Sequence, residues 1–227
     1  MDAMSKTVID LTLPIHEGMT TFPVLWHPYV EITQLGRHSS EGRETRKMVL
    51  GTHTGTHMDA PRHFISGGKT IDQLDPELFV GPCTLLDLSG VKPFGEVSTA
   101  DMKRCLDGAK PTRLMMRFDW SDRIFNREYY SDHPFLSEEC AQYLVDIGVK
   151  LLAMDTPMPD NPKNGRNSDN DSPNHKILLG NDVILVEYVT NLRALGKTRE
   201  FELIVLPLNI QHGDGAPVRC LARLTPG

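Results

Sequence analysis

His53-Thr54-Gly55-Thr56-His57-Met58-Asp59-Ala60-Pro61-Arg62-His63-Phe64 carries three histidines and a carboxylate within eleven residues. Imidazole nitrogen and carboxylate oxygen are common protein ligands of zinc, manganese and iron. The glycine and threonines make a poor helix, and the stretch is too polar for an ordinary core strand. It reads as the end of a strand entering a tight loop. His53 and His57 are four apart, which puts their side chains on one side of an extended chain, and Asp59, two further on, keeps that parity. Gly55 permits a positive φ or a close backbone approach, and Pro61 stiffens the exit. The expectation is that His53, His57 and Asp59 converge on one cation. His63, past the proline, is either a fourth ligand or a base held just outside the coordination sphere.

The rest of the chain fits a globular enzyme. Its 227 residues are 39% hydrophobic and 24% charged, enough apolar material for a core in one domain spanning 1–227. A net charge of −6 argues against nucleic acid or an anionic membrane as partner. Cys83, Cys105, Cys140 and Cys220 form no Cys-x-x-Cys pair, so they read as reduced thiols in a cytoplasmic setting. Residues 1–10 do not resemble a signal peptide, and no apolar run reaches membrane-spanning length.

Patterning predicts strands over 8–12, 29–35, 47–52, 81–88, 113–118, 149–154, 183–188 and 201–207, with a last one before residue 224. A helix opens at Ser98, where Asp101 makes a weakened capping box, and ends by Gly108. The clearest helix runs over 137–147 and stops at Gly148, directly before an apolar strand. Helix, glycine, strand is the order of an α/β crossover. A short helix is expected within 70–79, and 36–46 reads as a loop. The stretch 155–173, rich in Pro, Asn and Asp, reads as an ordered loop beside a site, because His175 lies at its edge. Phe22 and Trp26 sit in a proline-stiffened loop, where they either wall a pocket or tuck onto the core.

Glu187 stands inside the apolar run Val183-Ile184-Leu185-Val186-Glu187-Tyr188. A carboxylate buried there alone is costly, so it is paired, bound to a cation, or turned to water at the strand end. With His175 it offers the donors of a second metal position, which Asp59 would bridge. A His-His-carboxylate set with an open position lowers the pKa of a water toward neutrality, and His63 suits proton transfer in either direction. No dinucleotide or phosphate-binding glycine motif is present. Hydrolysis of an amide, lactam or ester is the simplest chemistry that uses all these parts. With an amide taken first, a lactone or ester hydrolase, a dehydrating cyclase, and a metal- or ligand-binding protein without turnover are the alternatives.

Together these residues resemble the metal-dependent cyclase-like hydrolase family, of the bacterial kynurenine formamidase and isatin hydrolase type. The likeness is carried by the 53–64 stretch, Ile9-Asp10-Leu11-Thr12, Arg117-Phe118-Asp119-Trp120, Leu152-Ala153-Met154-Asp155, His175 with Glu187, and Gly215-Ala216-Pro217-Val218-Arg219. It implies an α/β chain in a swivelling β/β/α fold, a mixed, barrel-like sheet with outer helices. It implies His53, His57 and Asp59 around a first metal, and Asp59, His175 and Glu187 around a second where two are bound. The metal would be zinc or manganese, one or two ions per subunit. His63 would be the acid/base residue, Phe22 and Trp26 would contact a small-molecule substrate, and the assembly would be a homodimer or homotetramer. The implied reaction is hydrolysis of the C–N bond of a small formamide or cyclic amide. Two stretches depart from the family pattern: Phe22-Pro23-Val24-Leu25-Trp26-His27-Pro28 lacks the Gly-Asp of an aromatic-Pro-Gly-Asp-Pro loop, and Arg117-Phe118-Asp119-Trp120 replaces Arg-Thr-Gly-Trp.

Overall fold

The computed structural model describes residues 7–224; the signal-peptide reading of the first ten residues falls partly outside them. In chain order the strands are β1 Val8–Asp10, β2 Glu31–Gly36, β3 Thr45–Val49, β4 His57–Asp59, β5 Val80–Asp87, β6 Glu96–Val97, β7 Arg113–Arg117, β8 Phe135–Leu136, β9 Leu151–Met154, β10 Ile184–Glu187, β11 Glu200–Pro207 and β12 Gly215–Arg223. The helices are α1 His38–Glu41, α2 Thr99–Leu106, α3 Glu128–Ser131, α4 Glu138–Asp146 and α5 Pro173–Gly180.

The main sheet runs β1-β12-β11-β5-β7-β9-β10-β4, and β4 also pairs with β12, so the seven strands from β12 to β4 close into a barrel. β5, β7, β9 and β10 are mutually parallel. Parallel neighbours need crossovers, and α2, α4 and α5 lie in the connections. The mixed, barrel-like sheet with outer helices is thus the architecture found.

Period-two alternation sorts the side chains. Leu151 and Ala153 of β9, Ile184 and Val186 of β10, and Met58 of β4 join the cluster inside the barrel. Leu152, Met154 and Leu185 face the other way, into a second core under α4 and α5. Both faces of β9 and β10 are buried, so these strands read as continuous apolar runs. Local chemistry agrees with the packing. Ser137 Oγ accepts the Cys140 N–H at the start of α4, and Ser98 with Asp101 closes a capping box on α2. Both satisfy backbone donors that a helix start leaves orphaned.

Several expectations are corrected. The 53–64 stretch is not a strand end entering a loop. It runs in the opposite order, a loop through Gly55 entering β4, followed by a 3-10 turn over Pro61–His63. The strand expected over 47–52 starts earlier and pairs only with β2, in a separate two-stranded ribbon. Its polar, largely exposed residues have no core to feed. The 36–46 loop contains α1. The 70–79 helix is two 3-10 turns, because Pro76 lacks the N–H that would continue a single helix. Pro173 opens α5, where no helix was read; a proline suits a first turn, whose N–H groups need no helical partner.

Because Leu152 is fully buried between the sheet and the helices, Leu152→Ala is expected to cost about 2–5 kcal/mol in urea unfolding. A loss below 1 kcal/mol, roughly that of a surface change, would contradict this placement.

Candidate metal centre

Alternation and register build the site. Met58 points into the barrel, so His57 and Asp59 point out of it. β10 pairs antiparallel with β4, setting Glu187 opposite His57 and Leu185 opposite Asp59. With Val186 inward, Glu187 shares the outer face with the two β4 ligand candidates. α5 then carries His175 over that face.

The four side chains meet. His57 Nε2 lies 3.3 Å from Asp59 Oδ1 and 3.5 Å from Glu187 Oε2. His175 Nε2 lies 3.5 Å from Asp59 Oδ2 and 3.3 Å from Glu187 Oε1. His53 reaches in from the preceding loop, its Nδ1 2.7 Å from Asp59 Oδ1. That loop is pinned by Thr56, whose Oγ1 donates to the Tyr188 carbonyl at 2.7 Å and accepts the Leu13 N–H at 2.8 Å. Gly55 turns it at φ 61°, in the left-handed region that favours glycine. Gly215 is required for a different reason: a Cβ there would stand 2.7 Å from both His53 Cε1 and the Met58 carbonyl oxygen.

Each ring is oriented from behind. His57 Nδ1 faces the Gly55 carbonyl at 2.9 Å, which sets Nδ1–H as donor and leaves the Nε2 lone pair toward the carboxylates. His175 Nδ1 is hydrogen-bonded to Asp160. His53 Nε2 is 2.8 Å from Asp214 Oδ2, and Thr52 Oγ1 donates to Asp214 Oδ1 at 3.0 Å. His63 stacks on His53, ring centroids 3.8 Å apart, with its Nδ1 3.4 Å from the same Asp214 oxygen.

The electrostatics are those of a site short of positive charge. Burial pushes Glu187 above its ordinary value, and the Asp59 charge adds to that. For Asp59, burial is outweighed by His53 and its neighbours, which hold the carboxyl well down. For His53, burial is outweighed by Asp59 and Asp214, which push the ring up to about 10. His175 is raised against burial by Asp160. His63, by contrast, is lowered, chiefly by burial.

Asp59 Oδ2 and Glu187 Oε1 are buried and have no hydrogen-bond partner. Donor atoms of His53, His57 and Asp59, and those of Asp59, His175 and Glu187, lie within 4.8 Å of one another. Orphaned carboxylate oxygens beside imidazole lone pairs are what a divalent cation would satisfy, so the residues fit a metal. The proton between His53 and Asp59 marks a place that a cation can take instead.

The comparisons with known proteins agree with this chemistry. The Cyclase family model matches residues 9–161. The chain belongs to the Cyclase family. It is 30% identical over 216 residues to the kynurenine formamidase of Bacillus cytotoxicus, covering 95% of this chain and 96% of that one. It superposes on isatin hydrolase A from Labrenzia aggregata, bound to benzyl benzoate, with a TM-score of 0.84 at 26% identity, covering 96% of this chain and 94% of that one. A structure described as a potential metal-dependent hydrolase with cyclase activity matches with a TM-score of 0.75 at 26% identity, over 96% of this chain and 98% of that one.

Above the histidines opens a cavity of about 420 Å³. Phe22 and Trp26 both line it, as do Pro157, Asn161 and Arg166 from the irregular loop. Trp26 is 57% exposed and so does not tuck onto the core. The Arg117–Trp120 segment lies elsewhere: its Phe118 and Trp120 N–H groups donate to buried Asp155 at 2.8 and 2.9 Å. Sequence reasoning missed Asp160 and Asp214. Asp214 directly precedes the family-like Gly215-Ala216-Pro217 run, a signal that was available. Asp160 was hidden among the other acidic residues of its loop.

Gly215→Ala is expected to displace the His53 ring and weaken binding of Zn²⁺ or Mn²⁺ roughly tenfold or more, measured by titration calorimetry. Gly90→Ala, where a Cβ meets nothing within 4 Å, is the control. Equal affinities for the two variants would contradict the close fit of Gly215 against His53 and β4.

Proposed function

We propose that this chain is a metal-dependent hydrolase that cleaves the C–N bond of a small formamide or cyclic amide. The partnerless Asp59 and Glu187 oxygens, set among three inward-facing imidazoles, carry this reading. The names borne by its relatives support the choice of bond.

His53, His57 and Asp59 would hold one ion, and Asp59, His175 and Glu187 a second. This nitrogen and oxygen donor set suits zinc or manganese. A divalent ion there supplies two things, a lowered pKa for water and polarisation of a carbonyl. The chain's own residues do the rest. His63 is kept neutral by burial, and with Asp214 at Nδ1 its Nε2 is the nitrogen left to accept a proton. It takes that proton from the water as the C–O bond forms, and returns it to the amide nitrogen as the C–N bond breaks. Asp214 positions His63 and His53 together, so the proton carrier and a ligand candidate are held at one carboxylate. Phe22 and Trp26 offer faces to a flat ring. Tyr188, stacked obliquely 5.5 Å from His57, helps close the floor to water.

The reading brings a homo-oligomer with it, supported by exposed Leu25, Tyr29, Leu35 and Met48 on and beside the β2–β3 ribbon. A reducing, cytoplasmic setting is supported by four unpaired cysteines.

Dialysis against a chelator is expected to abolish hydrolysis of an aryl formamide or isatin, and Zn²⁺ or Mn²⁺ to restore it. Full activity in metal-free protein would refute the proposal. His63→Ala is expected to keep its metal and lose about 10²–10⁴-fold in kcat; unchanged kcat would take His63 out of the proton transfer. Glu187→Ala is expected to halve the metal content if two ions bind, read by elemental analysis.

A further inference from the structure

The cavity has two chemically distinct ends. Its floor holds the histidines and Glu187. Its mouth holds Arg166, the only lysine or arginine among the lining residues described. The Arg166 guanidinium carbon lies 5.0 Å from the centroid of the Trp26 ring. None of the ion pairs among the described residues involves Arg166. Arg193, in contrast, spans Asp119 and Asp122. Arg166 is thus a cation on a pocket wall, steadied by an aromatic face and without a counter-ion of its own.

The neighbouring groups sharpen the point. His27 lines the same cavity, its ring centroid 5.9 Å from that of His53, so it belongs to the histidine end. Asp171 also lines the cavity, and its Oδ1 accepts the Ser172 hydroxyl at 2.9 Å. Among the described residues it forms no ion pair with Arg166, so it leaves the guanidinium N–H groups available to a ligand. Phe22 and Tyr130 stand edge to face, centroids 5.8 Å apart, and with Trp26 they make the span between mouth and floor aromatic.

We propose that the substrate is an aromatic formamide or cyclic amide bearing one carboxylate, and that Arg166, stacked on Trp26, receives that carboxylate. The inference rests on the hydrolase reading above and gives that reading a substrate class. A guanidinium stacked by its face keeps its N–H edge free, and that edge matches a carboxylate with two parallel hydrogen bonds. The aromatic ring of the substrate would lie along Phe22 and Trp26, with its amide over His63. Arg166 is exposed, so its contribution is to binding and orientation. Contact with a remote group that is equal in ground and transition states appears in KM rather than kcat.

The test uses metal-loaded protein and two matched probes, 4-formamidobenzoate, whose carboxylate lies at the far end of the ring from the amide, and its uncharged parent formanilide. The wild type is expected to favour the carboxylate in kcat/KM. In Arg166→Ala that preference is expected to fall about tenfold through KM, the size of one lost charge-assisted hydrogen-bond pair, and Arg166→Lys to regain part of it. A preference unchanged in Arg166→Ala would overturn the inference. Calorimetry with 4-aminobenzoate and aniline reads the same subsite without turnover. Wild-type binding of 4-aminobenzoate that is lost in Arg166→Ala supports the subsite even if neither formamide is hydrolysed, an outcome that would count against the hydrolase reading alone. Equal binding of 4-aminobenzoate by both proteins would overturn the subsite.

Discussion

Two carboxylates, Asp59 and Glu187, are buried side by side, each with an oxygen that makes no hydrogen bond and that faces His175 Nε2 at 3.5 and 3.3 Å. Negative charge removed from water in this way is strongly unfavourable unless something positive meets it. The rest of the molecule can be understood as the means of holding that arrangement in place. The β4–β10 register sets Glu187 opposite His57. The inward turn of Met58 and Val186 forces the acidic and imidazole groups outward. The crossover from β9 to β10 returns through α5, which brings His175 to the remaining side.

The histidines are not left to find their own orientation. Gly55, Asp160 and Asp214 each engage the ring nitrogen that faces away from the carboxylates. Such outer partners fix tautomer and direction, and they raise the basicity of the inner nitrogen. Asp214 does this for His53 while also lying beside His63. A disturbance at that one carboxylate would therefore reach both metal affinity and proton transfer. Rigid strands carry the acidic groups, whereas the cavity mouth is built from two loops, 20–29 and 157–172. That division suits a reaction whose chemistry is fixed while its substrate range varies with the loops.

Much of this was legible in the residues. The shared parity of His57 and Asp59 is a local property, and it held because β4 has a buried face; Glu187 stood out as a carboxylate inside an apolar run, and its place on the outer face follows from the register. The Ser98 and Ser137 caps and the Gly148 stop are likewise local. What was not legible depends on distant partners. The direction of chain at 53–64 was reversed because a loop pinned by Thr56 to Tyr188 and Leu13 looks, in sequence, like a strand end. The strands of the β2–β3 ribbon were legible as strands, but the residues do not reveal that they pair only with each other, outside the main sheet. Asp160 and Asp214 meet their histidines across 15 and 161 residues, distances over which composition carries no information. The gathering of His175 and Glu187 with Asp59 was one option the donor chemistry left open and the family resemblance implied, and it is the closed barrel that brings them into reach.

The most direct measurement is a crystal structure of the protein grown with Mn²⁺, with anomalous scattering recorded at the manganese edge. The account predicts an anomalous peak bonded to Asp59 and at least two of His53, His57, His175 and Glu187, at about 2.0–2.3 Å. A map with no peak among these residues, and with the orphaned oxygens of Asp59 and Glu187 bridged by water or by each other, would contradict it.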